Sequence, residues 1–375
     1  MSTANTAAGA KSPFLSTFPG RYYYDPAIFA REQERIFSRM WVYGGVANSL
    51  ARPGDYRTLT IANESVIVVR TKQGDLRAFL NVCRHRGSRL CPEASGHLNG
   101  SIQCRYHAWT YGLDGKLIGA PNVFNRPEFE RELYGLHPIA LEVWHGLIWL
   151  NLSEDPPSLA EQMDDPTVRD FGSNASLDRY GIANLKVAKT ITYDVTANWK
   201  LIMENTLECY HCGPMHPELC ALLPEYKTGA IDGNDGTTLA EGVEAFTITG
   251  RASRPPLPGL HPEDTRRYAG FFGLPSIFIN LLGDHVAIDW LEPMGPTQTR
   301  VTTEWLFDPA AMESPDFDPM DAVAILDLVN HQDWVVCELA QLGMTSRAYV
   351  NGGNYAPLEH HIRDFVDYIL VRLGE

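Results

Sequence analysis

The first part of the chain changes from a helical to a strand-like pattern of hydrophobic residues. Between residues 25 and 41, apolar side chains recur at near-helical spacing, which predicts an amphipathic helix. Residues 56–61 and 65–70 alternate between apolar and polar instead, and the sequence KQGD at 72–75 predicts a hairpin turn after them. Strand-like segments with glycine-rich connections continue to about residue 152, so this part is expected to be all-β.

A different pattern follows Asp155-Pro156-Pro157, which ends the strand-rich stretch. Alternation returns at 186–197, 243–250, 277–282, 285–292 and 300–307, while 198–212 and 319–342 predict helices. Strands bracketed by helices indicate an α+β fold. We therefore expect three parts: an arm and helix (1–40) packing on the C-terminal domain, an all-β domain (41–155), and a larger helix-and-antiparallel-sheet domain (156–375).

Composition and charge exclude several classes of function. The chain of 375 residues carries a formal charge of −15 at pH 7, whereas a nucleic-acid-binding protein normally shows a basic face. No apolar run reaches transmembrane length, and the N-terminus lacks the hydrophobic core of a signal peptide. These features predict a cytoplasmic protein without membrane or nucleic-acid partners. Seven cysteines are too few for a disulfide scaffold, and a cytosolic location argues against disulfides.

Two short segments combine one cysteine and one histidine each. Cys83-Arg84-His85 is followed, after eighteen intervening residues, by Cys104-Arg105-Tyr106-His107. Two thiolates can hold one iron of a [2Fe–2S] cluster while two neutral imidazoles hold the other. Cys₂His₂ is also a zinc set, but zinc fingers usually pair cysteine with cysteine and histidine with histidine. The mixed pairs therefore favour a Rieske cluster.

A second group of candidate ligands lies near residue 210. If 199–212 is helical, Glu204, Glu208 and His211 share one face, and His216 lies just beyond the helix end. Two imidazoles and a carboxylate form the facial triad of non-haem Fe(II) oxygenases, which leaves positions open for O₂ and substrate. A single helical histidine is more often an ordinary core or surface residue. Two histidines five residues apart, in a chain with a Rieske motif, favour iron.

The cluster motif, extended to Cys104-x-x-His107-x-Trp109, resembles the Rieske domain of ring-hydroxylating-type oxygenase α subunits. Respiratory Rieske proteins carry an extra cysteine in each cluster loop, and here Cys91 has no partner in the second loop. The resemblance covers nearly the whole chain. It implies a Rieske [2Fe–2S] domain and a catalytic domain with mononuclear iron.

The same resemblance implies roles for individual residues. His211 and His216 would bind the mononuclear iron together with Asp333, for which Glu338 and Asp327 are the fallbacks. Glu208 holds the position of the acid that bridges a cluster histidine of one subunit and an iron histidine of the next. Because the two centres of one chain are too far apart in that family, a head-to-tail homotrimer, or a multiple of it, is implied.

The iron motif also resembles one branch of the family. Glu208, where most aromatic-ring members have Asp, is typical of oxygenases acting on choline, carnitine, glycine betaine and proline betaine. A trimethylammonium group donates no hydrogen bond and is bound by aromatic faces. The candidates for this role are Phe271, Phe272, Phe278, Trp290 and Trp305, although any one of them could be an ordinary core residue. A basic residue for the substrate carboxylate is expected but cannot be identified.

These features predict the terminal oxygenase component of an O₂-dependent N-demethylase or hydroxylase of quaternary ammonium compounds. We find no flavin or nicotinamide signature, so electrons from NAD(P)H would come through a separate flavin/[2Fe–2S] reductase. One alternative is a Rieske oxygenase that hydroxylates or O-demethylates an aromatic substrate. A Rieske electron carrier and a zinc-stabilised binding module are further alternatives, although a carrier would need only about 100 residues.

Overall fold

The computed structural model describes residues 16–165, 174–229 and 236–375, which form an all-β part followed by a mixed part. The strands are β1 (Val42–Val46), β2 (Asp55–Ile61), β3 (Glu64–Arg70), β4 (Leu76–Leu80), β5 (Ser95–His97), β6 (Ser101–Gln103), β7 (Thr110–Gly112), β8 (Leu117–Gly119), β9 (Pro138–Trp144), β10 (Leu147–Asn151), β11 (Lys186–Val195), β12 (Thr237–Thr238), β13 (Arg267–Gly273), β14 (Ile277–Leu281), β15 (Val286–Gly295) and β16 (Gln298–Phe307).

The described α-helices cluster in the second half of the chain. They are α1 (Pro26–Glu32), α2 (Leu159–Met163), α3 (Asn174–Tyr180), α4 (Trp199–Thr206), α5 (Cys212–Met215), α6 (Pro217–Leu222), α7 (Pro309–Met312), α8 (Met320–Met344) and α9 (His360–Leu373). A π-helical turn continues α1 over Gln33–Phe37. No helix in the described ranges is both long enough and apolar enough to span a bilayer.

The all-β part consists of two antiparallel sheets. Seven strands pair in the order β1-β10-β9-β4-β3-β2-β5, and β6-β7-β8 form a small second sheet. The predicted turn at 72–75 is confirmed between β3 and β4, where Gly74 has a φ of +93° that most other residues avoid. Because β1 and β10 are neighbours, residues 42–151 close into one unit. The boundary predicted at residue 155 lies just beyond β10.

The mixed part is built on one antiparallel sheet of six strands, in the order β11-β16-β15-β14-β13-β12. The strands predicted near 186–197, 277–282, 285–292 and 300–307 are confirmed. The strand predicted at 243–250 is wrong, because Gly242 and Gly250 adopt positive φ and the segment folds into turns. Strand β13 is not predicted by the sequence pattern, because its glycines interrupt the alternation.

Three buried clusters of hydrophobic side chains hold these layers together. One lies around the small β6–β8 sheet, one between α8 and the six-stranded sheet, and the largest runs from the seven-stranded sheet to α4 and α9. The fold is therefore α+β, with an all-β part and a larger helix-and-antiparallel-sheet part, as predicted.

A buried ion pair ties the N-terminal helix to α4. The Lys200 ammonium lies 2.5 Å from the Glu32 carboxylate, and neither side chain is exposed. Glu32 also accepts a hydrogen bond of 2.8 Å from the Trp199 indole. Glu32 thus joins the segment predicted as the 1–40 arm to the C-terminal part, while residues 1–15 of that segment lie outside the described residues.

We expect the loss of either partner alone to destabilise the protein strongly, because a buried charge would remain unpaired. Glu32→Gln or Lys200→Met should each lower the free energy of unfolding by about 3–5 kcal/mol, whereas the double variant should lose less than the sum. Arg31→Met, which breaks the partly exposed pair with Glu375, is the control and should cost about 1 kcal/mol or less. Additive losses in denaturant titrations would contradict the coupling.

Candidate functional site: two metal-binding constellations

The structure brings the four predicted cluster ligands together on two neighbouring loops. The thiol groups of Cys83 and Cys104 are buried and adjacent, while the rings of His85 and His107 are exposed and lie 4.7 Å apart between centroids. Both loops contain the same turn. The Gly87 amide donates to the Cys83 carbonyl, and the Ala108 amide donates to the Cys104 carbonyl, each at 3.0 Å. Paired sulfurs beneath paired imidazoles suit a Rieske cluster, with the histidine side facing outward.

Aromatic residues support this site from below. The Trp109 ring stacks on His85 with 5.0 Å between centroids, and the Tyr111 hydroxyl lies 3.4 Å from the Cys83 sulfur. Tyr111 also accepts a hydrogen bond from the Arg84 amide at 3.0 Å. A polar hydrogen near a cluster sulfur is one of the features that tune a cluster's potential.

The segment before the iron histidines differs from the predicted single helix. Helix α4 ends at Thr206, and His211 lies in the turn before α5. The physical reason is Glu208, whose carboxylate accepts hydrogen bonds from the amides of Tyr210 and His211 and so competes with a continuing helix. Because the helix ends at Thr206, Glu204 does not share a helical face with Glu208 and His211. Its carboxylate accepts a hydrogen bond of 2.8 Å from the Tyr23 hydroxyl instead.

His211, His216 and Asp333 nonetheless converge on one point. The Nε2 atoms of His211 and His216 lie 3.2 and 3.0 Å from the same Asp333 carboxylate oxygen. His216 is fully buried before α6, and Asp333 projects from the middle of α8. One carboxylate and two imidazoles meeting from three elements can provide one face of a metal's coordination sphere, leaving the opposite face for other ligands.

The outer nitrogens of both imidazoles are also hydrogen-bonded. His211 Nδ1 lies 2.5 Å from Glu208 Oε1, and His216 Nδ1 lies 2.7 Å from Gln332 Oε1. Since both of these oxygens accept, each imidazole carries a proton on Nδ1, and its Nε2 atom faces inward toward Asp333. Outer partners of this kind fix the tautomer and the ring orientation of a metal ligand.

The acids around these histidines favour positive charge at the site. Burial lowers the pKa of His211, but its hydrogen bonds to Asp333 and Glu208 outweigh that effect and raise the pKa to about 9. Burial alone would raise the pKa of Asp333, yet the two histidines hold it below its usual value. A divalent metal ion bound at the Nε2 atoms would replace the protons and supply the same compensation.

Two cysteines flank His211, and the expectation that the chain forms no disulfide is wrong for them. Cys209 and Cys212 are joined, with their Cα atoms 4.9 Å apart. The sulfur of Cys212 lies close to the ring nitrogens of both His211 and His216. Because it is bonded to Cys209, it offers no thiolate to a metal ion.

The fallback acids are engaged elsewhere. Asp327 accepts a hydrogen bond of 2.6 Å from the Tyr193 hydroxyl, and Glu338 accepts one of 2.9 Å from the Thr196 amide. Both residues therefore hold α8 against β11 and the turn after it, rather than facing the histidines. Of the three acids considered on this helix, only Asp333 contacts both imidazoles.

A cavity of about 270 Å³ opens beside these three residues, between α8 and the six-stranded sheet. Of the five predicted aromatic candidates, Phe272 and Phe278 line it and stack on each other at 4.3 Å. The predictions for Phe271, Trp290 and Trp305 are wrong, since none of the three lines the cavity and all are buried in the core. Phe271 neighbours Phe272 on a strand and so points to the opposite sheet face.

Two tyrosines complete the aromatic lining and were missed in the sequence. Tyr226 and Tyr268 line the cavity with their rings 5.9 Å apart. Tyr226 lies in a 3₁₀ turn with no periodic pattern to mark it, whereas Tyr268 shares a sheet face with Phe272 four residues on. Among the described lining residues there is no lysine or arginine, and the basic side chains other than the two iron-site histidines are His360 and His361.

Comparison with known proteins supports the geometry. Residues 40–130 match the Rieske [2Fe-2S] domain family, and residues 182–375 match the ring hydroxylating alpha subunit (catalytic domain) family. The chain is 34% identical to the glycine betaine monooxygenase oxygenase subunit of Chromohalobacter salexigens, over 94% of this chain and 84% of that protein. It is 37% identical to the carnitine monooxygenase oxygenase subunit of Acinetobacter pittii, over 54% of this chain and 53% of that one.

A solved structure extends the likeness to the fold. The quaternary ammonium Rieske monooxygenase CntA in complex with its substrate gamma-butyrobetaine is 26% identical, with a TM-score of 0.75 over 96% of both chains. The all-β part with its cysteine and histidine loops, and the mixed part with its histidine–carboxylate site, define an oxygenase that uses a Rieske [2Fe–2S] cluster and a mononuclear iron with O₂. The chain belongs to the family of Rieske-type ring-hydroxylating oxygenase α subunits.

We expect His211→Ala to abolish turnover, by more than about 100-fold, because it removes an inner donor rather than an outer one. The visible and EPR spectra of the cluster should remain, while the metal count should fall from about three irons to about two per chain, with two sulfides retained. His331→Ala, an exposed histidine on the same helix as Asp333, is the control. Loss of the cluster spectrum in the His211 variant would show a structural role instead.

Proposed function

We propose that this protein is the oxygenase component of a monooxygenase that removes an N-methyl group from a quaternary ammonium compound, with glycine betaine as the first candidate. The observation that carries the proposal is the aromatic-walled cavity that opens directly onto the His211–His216–Asp333 site. The glycine betaine and carnitine monooxygenase subunits among its relatives support the substrate class.

In this proposal Cys83, His85, Cys104 and His107 hold the cluster, and His211, His216 and Asp333 hold the iron. The iron, when bound, supplies the O₂ chemistry that inserts an oxygen atom into an N-methyl C–H bond. The hydroxymethyl product loses formaldehyde and leaves the demethylated amine. One O₂, one NAD(P)H and one proton are consumed for each formaldehyde and each water formed. The reducing equivalents come from a separate reductase, and a cytoplasmic location would provide its NAD(P)H.

The residues of the chain have distinct tasks in this reaction. Glu208 and Gln332 orient the imidazoles through their Nδ1 protons, so that the Nε2 atoms point inward, where they would hold the iron. Phe272, Phe278 and the two tyrosines offer π faces to a cation that accepts no hydrogen bond. The same apolar faces keep water away from the site of C–H oxidation.

The experiment combines purified protein, a flavin/[2Fe–2S] reductase, NADH and glycine betaine, and follows formaldehyde. We expect formaldehyde and dimethylglycine in equal amounts, with carnitine, choline and proline betaine tested in parallel. The control omits the substrate and measures uncoupled NADH oxidation. Silence with all four ammonium compounds, together with turnover of an arene or an aromatic methyl ether, would assign the protein to the aromatic alternative.

We further propose that the chains assemble head to tail, in a trimer or a multiple of it. The cluster histidines are exposed, and Tyr106, whose ring lies against His107, is 57% exposed. Beside the iron site Tyr210 is 56% exposed, and Val335, Leu339 and Leu342 present an apolar stripe on the outer face of α8. Exposed apolar side chains on the helix that carries Asp333 are suited to contact the exposed loops of another chain that carry His85 and His107.

We expect Leu339→Glu to weaken this contact by placing a charge within the stripe. The variant should dissociate toward monomers in light scattering and lose turnover by about tenfold or more, while its cluster spectrum is unchanged. Val371→Glu, at an equally exposed position on α9, is the control for added surface charge. Unchanged mass and activity in the Leu339 variant would remove this stripe from the interface.

A further inference from the structure

The cavity contains a buried carboxylate that none of the proposed iron or cluster roles uses. Asp289 projects from β15 into the cavity lining and is 8% exposed. It accepts hydrogen bonds only from neutral groups: the Thr303 hydroxyl, the Asn280 amide at 2.7 Å and the Asn330 amide at 3.5 Å. Among the described residues, no lysine, arginine or histidine forms an ion pair with it.

The hydrogen-bond network around Asp289 reaches the aromatic wall. Tyr268 donates to Asn280 Oδ1 at 2.5 Å, and Asn280 Nδ2 donates to Asp289. The direction is fixed, because an ionised carboxylate only accepts and Asn280 must therefore turn its amide N–H toward it. Asn280 thus holds the tyrosine ring and the carboxylate on the same side of the cavity.

The same network places Asp289 near the iron site. Asn330 lies one helical turn before Asp333 on α8, so the carboxylate contacts that helix about one turn, roughly 5 Å, from the iron ligand. Asp289 and the three iron-site residues line the same cavity, so a substrate bound there would lie between them. Burial raises the pKa of Asp289 to about 6, against the hydrogen bonds that lower it, so the group is mostly ionised at neutral pH.

An ionised carboxylate in an apolar cavity is costly unless a positive charge accompanies it. We infer that Asp289 is the electrostatic partner of the substrate's quaternary nitrogen and makes the cavity select a cation over a neutral group of the same shape. This inference rests on the proposed function and adds a specificity-determining residue to it. The aromatic faces bind the methyl surface, and Asp289 supplies the charge preference that shape alone cannot provide.

The test compares glycine betaine with 3,3-dimethylbutanoate, in which carbon replaces the quaternary nitrogen. Wild-type protein should bind glycine betaine more tightly than this isostere, with both dissociation constants measured by calorimetry. In Asp289→Asn, which keeps the size of the side chain, we expect the dissociation constant for glycine betaine to rise about tenfold or more. The value for the isostere should change less than about twofold or become tighter. The preference for the cation would then largely disappear.

Two controls separate charge recognition from other roles. Glu292→Gln removes a carboxylate from the same strand at a position that does not line this cavity, and should leave both dissociation constants unchanged. Iron content and the thermal midpoint of Asp289→Asn should stay close to those of the wild type. Lost iron, an unfolded variant or equal weakening of both ligands would overturn the inference and assign Asp289 to metal retention or structure. Asp289→Glu should restore part of the preference, which a folding defect would not.

These outcomes are distinct from failure of the proposed function. If wild-type protein forms no formaldehyde from any ammonium compound, the demethylase proposal fails, whatever Asp289 does. If wild-type protein demethylates glycine betaine but binds the neutral isostere equally well, only the role of Asp289 is wrong. Demethylation with a cation preference that survives in Asp289→Asn would likewise place the charge recognition elsewhere.

Discussion

The architecture depends on one meeting point, where the carboxylate of Asp333 faces the inner nitrogens of His211 and His216. These three groups come from a turn, the start of a short helix and the middle of the long helix α8, so no single element can form the site. The hydrophobic cluster between α8 and the six-stranded sheet fixes the position of α8, and with it the position of the Asp333 carboxylate. Glu208 and Gln332 then fix the rotation of the rings, which leaves little freedom for the inner nitrogens.

Charge is distributed around this point in a consistent way. Asp333 and Asp289 lie on the walls of the cavity, where the described lining contains histidines but no lysine or arginine. Among the described residues, the one buried lysine is Lys200, which is paired with Glu32 near the start of α4, whereas the turn that carries His211 follows the end of that helix. In the functions proposed above, each of these two carboxylates would be compensated by a cation, Asp333 by the metal ion and Asp289 by the bound substrate.

Much of this could be predicted from the sequence, since ligand spacing and strand periodicity are local properties. The cysteine and histidine pairs, the long helix and four strands of the catalytic sheet all follow from neighbouring residues. The interruption after Thr206 could not be predicted, because it arises from a side chain of Glu208 that captures backbone amides. Tyr226, Tyr268 and Asp289 were also missed, because only the folded sheet and α8 bring them to one cavity. Phe271 and Trp290 show the reverse error. Both are aromatic and were expected to line the cavity, but the alternation of their strands points them to the opposite face of the sheet.

The position of Glu208 limits what can dock beside the iron site. A carboxylate has about four acceptor directions. Three are already occupied, by the amides of Tyr210 and His211 and by the His211 ring. The remaining direction can receive only a hydrogen-bond donor, so a carbonyl, a carboxylate or an unprotonated ring nitrogen from a neighbouring molecule would be repelled there. A neighbouring imidazole could therefore bind to Glu208 only through a nitrogen that carries a proton.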